Sequence, residues 1–176
     1  LLAVSPGYHS DKIVLAAGTK GGLYKSKNGG ESWYQVIDDS IKVTAISYFS
    51  GLKKDNMLVG DHKDILYLST DSGESWREHL PIQNGGAITS IAVSPNISSE
   101  NTYFVGTEKK GVLKTVDGGA SYVAVNNGLT AKHITSLAIS PNYGTDPTIF
   151  ASTWYEAVFR SDDGGKTWKK FSTGIT

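Results

Sequence analysis

The amino-acid sequence predicts an all-β protein made of four copies of one small antiparallel sheet. A segment of eight residues that ends in an aromatic residue occurs four times, and successive copies are 43, 46 and 46 residues apart. The copies are SKNGGESW (26–33), STDSGESW (69–76), TVDGGASY (115–122) and SDDGGKTW (161–168). Four short segments rich in β-branched and aromatic residues accompany each copy, and none has apolar residues at helical spacing. Four strands repeated with this period are typical of a β-propeller blade, so we expect almost no helix.

Each unit has the pattern of a four-stranded meander separated by Gly, Pro, Asn, Asp and Ser. First strands are predicted in LLAVSP (1–6), VTAISY (43–48), ITSIAVSP (88–95) and ITSLAISP (134–141). Second strands are predicted in IVLAAGT (13–19), MLVGD (57–61), YFVGT (103–107) and IFAST (149–153). Third strands are predicted in GLYKS, ILYLS, GVLKT and AVFRS, and fourth strands in YQVI, REHL, VAV and KKF. We therefore divide the single domain into blades over residues 1–40, 41–85, 86–130 and 131–176.

The eight-residue segment has the composition of a rigid turn between the third and fourth strands. The Asp or Asn at its third position can accept hydrogen bonds from backbone amides a few residues on. The glycine at its fifth position permits the positive φ that such a turn needs. We expect the closing aromatic side chain to bury its ring between adjacent strands. The residues given this structural role are Ser26, Asn28, Gly30, Trp33, Ser69, Asp71, Gly73, Trp76, Thr115, Asp117, Gly119, Tyr122, Ser161, Asp163, Gly165 and Trp168.

The pattern Ser-x-Asp-x-Gly-x-x-Trp resembles the Asp-box, or BNR, motif, and all four copies fit it in register. Asn28 replaces Asp in the first copy, and Thr115 and Tyr122 replace Ser and Trp in the third. Proteins with this motif include sialidases, xyloglucan-cleaving enzymes, sortilin-type receptors, a photosystem II assembly factor and exported bacterial proteins. The resemblance implies a β-propeller in which each Asp-box is a structural element on the face away from any active site.

The composition excludes several classes of function. Lys and Arg number 17, as do Asp and Glu, and the lysines are scattered rather than clustered, which is not the charge pattern of a nucleic-acid-binding protein. The absence of cysteine excludes disulfides and cysteine-ligated metals, and it is compatible with export. No segment has the length of a membrane span. We expect no cofactor, no metal, no nucleic-acid partner, no membrane insertion, and an extracellular or exported location.

The number of blades leaves three arrangements open. The chain can be part of a larger ring, a compact four-bladed ring, or half of an eight-bladed ring built from two chains. Because the sequence opens inside a predicted first strand and closes on GIT, we expect a fragment or processed product and favour the first arrangement. Uncovered blade faces would also allow the chain to form a homodimer.

Candidate ligand-binding residues lie in the loops between second and third strands, which meet at one face of a propeller together with the connections between blades. Trp154 and Tyr155 could stack on a sugar ring while Glu156 binds its hydroxyl groups; the alternative is that Trp154 packs between blades as core. His62, Asp64 and Glu108 occupy the corresponding loops of blades 2 and 3. Because a metal site needs several convergent ligands, we interpret the DHKD segment (61–64) as a solvated loop.

The sequence favours a protein without catalytic activity. The sialidase family binds the substrate carboxylate with three arginines, but this chain has only Arg77 and Arg160. Hydrolysis by a xyloglucan-cleaving type of enzyme needs two carboxylates across a cleft. The acidic candidates are Asp38, Asp39, Asp61, Asp64, Glu108 and Glu156. We therefore predict a recognition or scaffold propeller that binds a protein or a glycan, with a fragment of a glycoside hydrolase, its catalytic groups partly outside the chain, as the alternative.

Overall fold

The structure, a computed structural model, describes residues 1–50, 55–79, 82–95, 101–171 and 173–174. Blade 1 contains β1 (Leu2–Val4), β2 (Val14–Ala17), β3 (Leu23–Ser26) and β4 (Tyr34–Ile37). Blade 2 contains β5 (Val43–Ser50), β6 (Asp55–Asp61), β7 (Leu66–Ser69) and β8 (Arg77–Glu78). Blade 3 contains β9 (Ile88–Val93), β10 (Tyr103–Thr107), β11 (Val112–Thr115) and β12 (Val123–Ala124). Blade 4 contains β13 (Ile134–Ile139), β14 (Ile149–Thr153), β15 (Val158–Ser161) and β16 (Lys169–Lys170).

One short helix, α1 (Tyr8–Asp11), interrupts the connection between β1 and β2. The Ser5 hydroxyl donates to the Asp11 carboxylate over 2.6 Å and accepts the amide of Gly7 over 2.9 Å, which closes the loop around the helix. The helix ends at Lys12, which takes the left-handed conformation with φ 55°. Because this single turn is the only helix among the described residues, the prediction of an all-β fold with almost no helix is confirmed.

Each blade is an antiparallel meander in which the strands are neighbours in chain order. The strand registers place one side chain from each strand in a row across the sheet; in blade 3, for example, Phe104 pairs with Ala92 and with Lys114. We call the face that carries this row, directed towards the next blade, the forward face. Its residues are Ala3, Leu15, Lys25 and Tyr34 in blade 1; Ser47, Leu58, Leu68 and Arg77 in blade 2; Ala92, Phe104, Lys114 and Val123 in blade 3; and Ala138, Phe150, Arg160 and Lys169 in blade 4.

The hydrophobic core lies between blades rather than inside any one of them. Successive residues of a strand point to opposite faces, so each central sheet packs on both neighbours. In blade 3, Ile91 and Val105 belong to a cluster shared with blade 2, whereas Ala92 and Phe104 belong to one shared with blade 4. A third cluster joins blades 1 and 2. Each blade therefore depends on its neighbours for burial of its apolar side chains.

Glycine residues of the second strands allow neighbouring blades to approach closely. A Cβ atom on Gly60 would lie 2.3 Å from Ile88 of blade 3, and one on Gly106 would lie 2.7 Å from Ile134 of blade 4. Real atoms of this kind cannot come so near, so any side chain would push the blades apart. The repeated glycine thus sets the spacing between consecutive sheets.

The two outer faces of the arrangement are uncovered. Leu15, Leu58 and Phe104, at equivalent positions of the forward faces of blades 1 to 3, are no more than 2% exposed, whereas Phe150 of blade 4 is 39% exposed. On the opposite side, Leu2 of blade 1 is 71% exposed. No buried apolar cluster joins blade 4 to blade 1 within the described residues. Among the described residues, the blades therefore pack in chain order and blades 4 and 1 share no apolar core.

Candidate functional site

The meander separates two ends of each blade, which we call the turn end and the loop end. The Asp-box turns join the third and fourth strands at the turn end, where the loops between first and second strands contact them; the Gly29 amide, for instance, donates to the Lys12 carbonyl over 3.0 Å. The loops between second and third strands lie at the loop end, next to the connections between blades. There the Trp154 amide donates to the His133 carbonyl over 2.9 Å, and the Glu108 amide donates to Ala87 over 3.0 Å.

All four Asp-box turns share three hydrogen bonds. The hydroxyl of the first residue donates to the side-chain oxygen of the third over 2.7–2.8 Å and accepts the amide of the fifth over 2.8–2.9 Å. The side-chain oxygen of the third residue also accepts the amide of the seventh over 2.8–3.0 Å. The fifth residue, a glycine, has a φ between 82° and 101°. These bonds are internal to the turn, so its polar side chains are engaged in holding the hairpin.

The closing aromatic residues differ in burial. Trp168 is 4% exposed, and its indole N–H donates over 2.7 Å to the carbonyl of Val125 in the preceding blade. Trp33 is 41% exposed, and its indole donates within its own turn to Gly30 over 3.0 Å. The expectation that every closing aromatic ring is buried is therefore wrong for Trp33. The physical reason is that, among the described residues, no other sheet packs on this side of blade 1, whereas blade 3 packs against Trp168.

The Asp-box carboxylates are ionised hydrogen-bond acceptors. The hydroxyl and the amide of Thr167 hold the pKa of Asp163 at about 2. Burial raises the pKa of Asp71, but hydrogen bonds from the Ser75 hydroxyl and amide outweigh this effect and bring the pKa to about 2. The Ser121 hydroxyl, at the same position of the third turn as Thr167 in the fourth, donates to Asp117 and holds its pKa below the ordinary range. A general acid needs a raised pKa, so these groups are unsuited to acid catalysis at neutral pH.

Three of the predicted ligand-binding residues lie together at the loop end of blade 4. The Trp154 ring stacks on His133 at 5.3 Å with an angle of 19° between the planes, and it is 50% exposed. Tyr155, 95% exposed with φ 73°, contacts the Trp154 ring edge-to-face at 5.5 Å. The Glu156 carboxylate accepts the Thr130 hydroxyl over 2.7 Å. We call these five residues the aromatic patch; the alternative that Trp154 is ordinary core is wrong.

Asp64 and Glu108 both support the connection between blades 2 and 3. The amide of Gly85 donates to the Asp64 carboxylate over 3.1 Å, and the amide of Ala87 donates to the Glu108 carboxylate over 3.3 Å. The predicted connection spans residues 80–87, of which 80 and 81 lie outside the described residues. The two carboxylates therefore meet neighbouring amides of one segment, where each has a structural partner.

His62 is exposed in the loop of blade 2, and its amide donates to the Lys42 carbonyl over 3.2 Å. Among the described residues, no side-chain hydrogen bond, ion pair or ring contact joins His62 to Asp64, to Glu108 or to the aromatic patch. In the part of the chain that the structure describes, no group of three or more His, Asp or Glu side chains could hold a metal ion. The same residues include no helix of the length and apolar character needed to cross a membrane.

The other acidic candidates are engaged in local hydrogen bonds. Asp61 is 2% exposed and accepts two amides of its own loop over 2.8 Å each. Asp39 accepts the Tyr24 hydroxyl and the Gln35 side-chain amide, both over 2.7 Å. Asp38 accepts a backbone amide over 2.8 Å. None of these contacts places two carboxyl groups opposite each other across a cleft.

The same blade arrangement occurs in solved structures. A GH74 enzyme from Niastella koreensis is 20% identical with a TM-score of 0.74, and the similarity covers 93% of this chain and 28% of that chain. YCF48 from Cyanidioschyzon merolae is 17% identical with a TM-score of 0.67, over 98% of this chain and 56% of that one. A structure of YCF48 bound to D1 peptide is 19% identical with a TM-score of 0.64, over 91% and 51%. At these identities the likeness shows the fold alone.

The sequence of the fourth turn matches a known repeat. A protein-family model described as BNR/Asp-box repeat matches residues 159–170, which run from β15 through the turn to β16. This match and the similar solved structures support a BNR-repeat β-propeller family for the chain. The resemblance inferred from the Asp-box motif is thereby confirmed. No curated protein matches the chain.

This BNR-repeat propeller spans 28% to 56% of the chains of the solved structures named above. Those structures include both an enzyme and a protein seen with a peptide. The family and the fold are therefore compatible with catalysis and with recognition.

Two members of the aromatic patch, His133 and Thr130, were not among the predicted site residues. Both precede β13, whereas Trp154 and Glu156 lie between β14 and β15. The signal that could have found His133 is the repeat itself. In blades 2, 3 and 4 the residue just before the first strand lies beside the loop between second and third strands, as the bonds of the His62, Glu108 and Trp154 amides illustrate.

Proposed function

We propose that this propeller is a non-catalytic recognition module that binds a protein or a glycan through its loop end. The observation that carries the proposal is the aromatic patch, in which a half-exposed Trp154 is stacked on His133. Aromatic rings with an accessible face are enriched where proteins bind partners, because they bury much area at little cost in conformational entropy. A conserved scaffold with variable loops commonly carries such a site.

The patch combines a fixed apolar surface with polar groups beside it. Stacking on His133 and the backbone bond from Trp154 to the His133 carbonyl fix the indole on the connection between blades. Tyr155 projects from the loop in a left-handed conformation that few residue types adopt readily. Glu156 and Thr130 supply a carboxylate and a hydroxyl at its edge. This set of groups suits the apolar face and hydroxyl groups of a sugar, or an aromatic or aliphatic side chain with an amide.

The acidic residues support recognition rather than hydrolysis. Asp64 and Glu108 each accept a backbone amide of the connection between blades 2 and 3. Glu156 accepts a threonine hydroxyl. Groups used in this way hold the loops in place, which stabilises a preformed binding surface.

Binding assays with matched tryptophan variants test the proposal. Wild-type protein and Trp154→Ala are presented to a glycan array and to an immobilised peptide library; Trp33→Ala, which removes a tryptophan of similar exposure at the turn end, is the control. We expect retention of one ligand class that Trp154→Ala reduces at least tenfold and Trp33→Ala leaves unchanged. Retention that both variants lose equally would reflect general loss of structure, and equal retention by both would place binding elsewhere.

The similarity to a GH74 enzyme favours one alternative, a glycoside hydrolase of which this chain is a part. Chromogenic glycosides give the decisive measurement for that alternative. Turnover by this chain that disappears in Glu156→Gln or Asp64→Asn, while the variants keep wild-type melting temperatures, would replace recognition with catalysis.

We also propose an exported location, with which the absence of cysteine is compatible; fractionation of source cells tests it.

A further inference from the structure

The three junctions between blades share one polar contact at the turn end. In each, a nitrogen-bearing side chain of the preceding blade meets the carbonyl of the fourth residue of the next Asp-box turn. Lys25 donates to Ser72 over 2.6 Å, Lys114 donates to Gly164 over 3.1 Å, and the His79 ring nitrogen lies 2.8 Å from the Gly118 carbonyl oxygen. We call this contact the turn clasp. The fourth carbonyl of each following turn is therefore an acceptor for the blade before it.

At the junction of blades 3 and 4 an aromatic pair accompanies the turn clasp. Phe104 of blade 3 meets Tyr143 of blade 4 edge-to-face, with ring centres 5.8 Å apart. The Lys114 ammonium lies 5.4 Å from the centre of the Phe104 ring and donates to the Tyr143 hydroxyl over 3.3 Å. A phenylalanine and a cation on one face thus meet a tyrosine and a turn carbonyl on the other.

At the junction of blades 1 and 2 a carboxylate accompanies the turn clasp. Lys25 forms an ion pair with Glu74, the sixth residue of the second turn, and Lys25 is 1% exposed. Hydrogen bonds from Lys25 and Lys27 bring the pKa of Glu74 to about 2 although partial burial opposes this. An acidic sixth residue therefore strengthens the acceptor side of a junction.

The uncovered forward face of blade 4 carries the same kinds of groups as the donating face of the junction between blades 3 and 4, an aromatic ring and a cation. By strand register Phe150 corresponds to Phe104, and Arg160 corresponds to Lys114 and Lys25. The Arg160 guanidinium lies over the Phe150 ring at 5.9 Å, as Lys114 lies over Phe104. Its Nε donates to Asp162 of the same blade, and its two terminal nitrogens carry four further N–H donors.

The uncovered face of blade 1 carries the same kinds of groups as the accepting faces of the junctions. Gly29 is the fourth residue of the first turn, and Glu31, at the sixth position, is exposed. The Tyr8 hydroxyl lies 3.0 Å from where a Cβ on Gly29 would be, as the Tyr143 hydroxyl lies 2.8 Å from that of Gly164. Tyr8 and Tyr143 also occupy the same place in the similar segments SPGYHSD (5–11) and SPNYGTD (140–146). Blade 1 therefore presents a tyrosine, a turn carbonyl and a carboxylate together.

We infer that the forward face of blade 4 docks on blade 1 of a second copy of this chain, with Arg160 bound to the Gly29 carbonyl and the Glu31 carboxylate of that copy and Phe150 packed against its Tyr8. Arg160 and Glu31 carry opposite charges. Phe150 and Tyr8 correspond to Phe104 and Tyr143 at the junction between blades 3 and 4. A contact between two different faces forms a closed assembly when the rotation between copies closes. Two such contacts related by a two-fold axis close eight blades, which lies within the usual range for propellers.

Charge exchange between Arg160 and Glu31 tests the docking. Light scattering on wild-type protein over a concentration series should give twice the mass of one chain. Arg160→Glu and Glu31→Arg should each weaken the dimer at least ~30-fold because like charges then face each other, and the double variant should recover most of this loss. The control is Lys170→Glu, since Lys170 pairs with Phe159 and lies on the opposite face of the same sheet. Far-UV circular dichroism should be the same for all variants.

An apolar position gives a second test that does not depend on Arg160. Leu2 is 71% exposed in the single chain, so Leu2→Glu should leave the monomer folded and abolish the dimer. Val116→Glu is the control because Val116 is 62% exposed and lies in the third turn, outside both uncovered faces. A monomer at every concentration, a dimer insensitive to Arg160→Glu and Leu2→Glu, or a double charge variant that stays monomeric would each overturn the inference.

Discussion

Replacement of Ser69 by alanine should destabilise the protein far more than replacement of Ser75, although both serines bind the same carboxylate. Ser69 is 1% exposed; its hydroxyl donates to Asp71 over 2.8 Å and accepts the Gly73 amide over 2.8 Å. Ser75 is exposed, and its hydroxyl donates to the other oxygen of Asp71 over 2.6 Å. Each substitution removes one hydroxyl oxygen from the same turn. The two hydroxyls differ in burial and in the number of hydrogen bonds that are lost with them.

The size of the effect follows from those bonds. A hydrogen bond to a charged group contributes about 1.5–3 kcal/mol, and a buried amide left without a partner costs about 1–3 kcal/mol. Because the two losses in Ser69→Ala share one turn and are not additive, we expect a decrease of about 2–4 kcal/mol in the free energy of unfolding. For Ser75→Ala water replaces the hydroxyl, so we expect less than about 1 kcal/mol. In a chain of this length the first change corresponds to roughly 5–15 °C in melting temperature.

Urea denaturation followed by tryptophan fluorescence measures both changes, and thermal melting gives an independent value. Near-equal decreases in the free energy of unfolding for Ser69→Ala and Ser75→Ala would refute the reasoning, because loss of the hydrogen bond to the buried Gly73 amide would then have no measurable effect on stability. An unchanged slope of free energy against urea is the control that the variants unfold to the same extent as the parent.

Gly60→Ala should cost about 1–3 kcal/mol of unfolding free energy by pressing on Ile88, and combining it with Ile88→Val should recover part of that loss in urea denaturation. Glu74→Gln should cost about 1–2 kcal/mol because it leaves the buried Lys25 ammonium without its carboxylate, whereas Lys25→Met, which removes the charge, should cost less in the same assay. The Asp-box carboxylates have pKa values below the ordinary range in the folded protein, so they stabilise it above about pH 4 and this contribution should fade as the pH approaches 2. Melting temperatures from pH 6 to pH 2.5 measure that loss, and replacing the three Asp-box aspartates by asparagine should flatten the dependence.

The turns could be predicted because their bonds are local. In the fourth turn every hydrogen bond among Ser161, Asp163, Gly165 and Thr167 joins residues no more than four positions apart. Spacing of residue types in a short segment is therefore enough to specify the geometry. The strands were predicted for a similar reason, since alternation of apolar residues is a property of each segment on its own.

The ligand-binding candidates show where such reasoning ends. The sequence marked Trp154, Tyr155 and Glu156 because an aromatic pair stands beside a carboxylate in one loop. No motif within one segment indicates that His133 stacks on Trp154, since the two lie in different segments and only a comparison of the repeats brings them together. Nor did it indicate that Glu108 supports a connection more than twenty residues earlier in the chain. Their binding roles stay predictions.

The sequence by itself determined the repeat, the four-stranded units and the Asp-box turns, because the interactions that specify them are confined to a few consecutive residues. Only the tertiary structure decided which equivalent positions differ: Trp168 is buried while Trp33 is exposed, and Phe104 is covered while Phe150 is not. The physical reason is that these differences depend on whether another sheet lies alongside. Contacts between sheets join residues a whole repeat apart, such as Lys114 and Gly164, so no single segment encodes them.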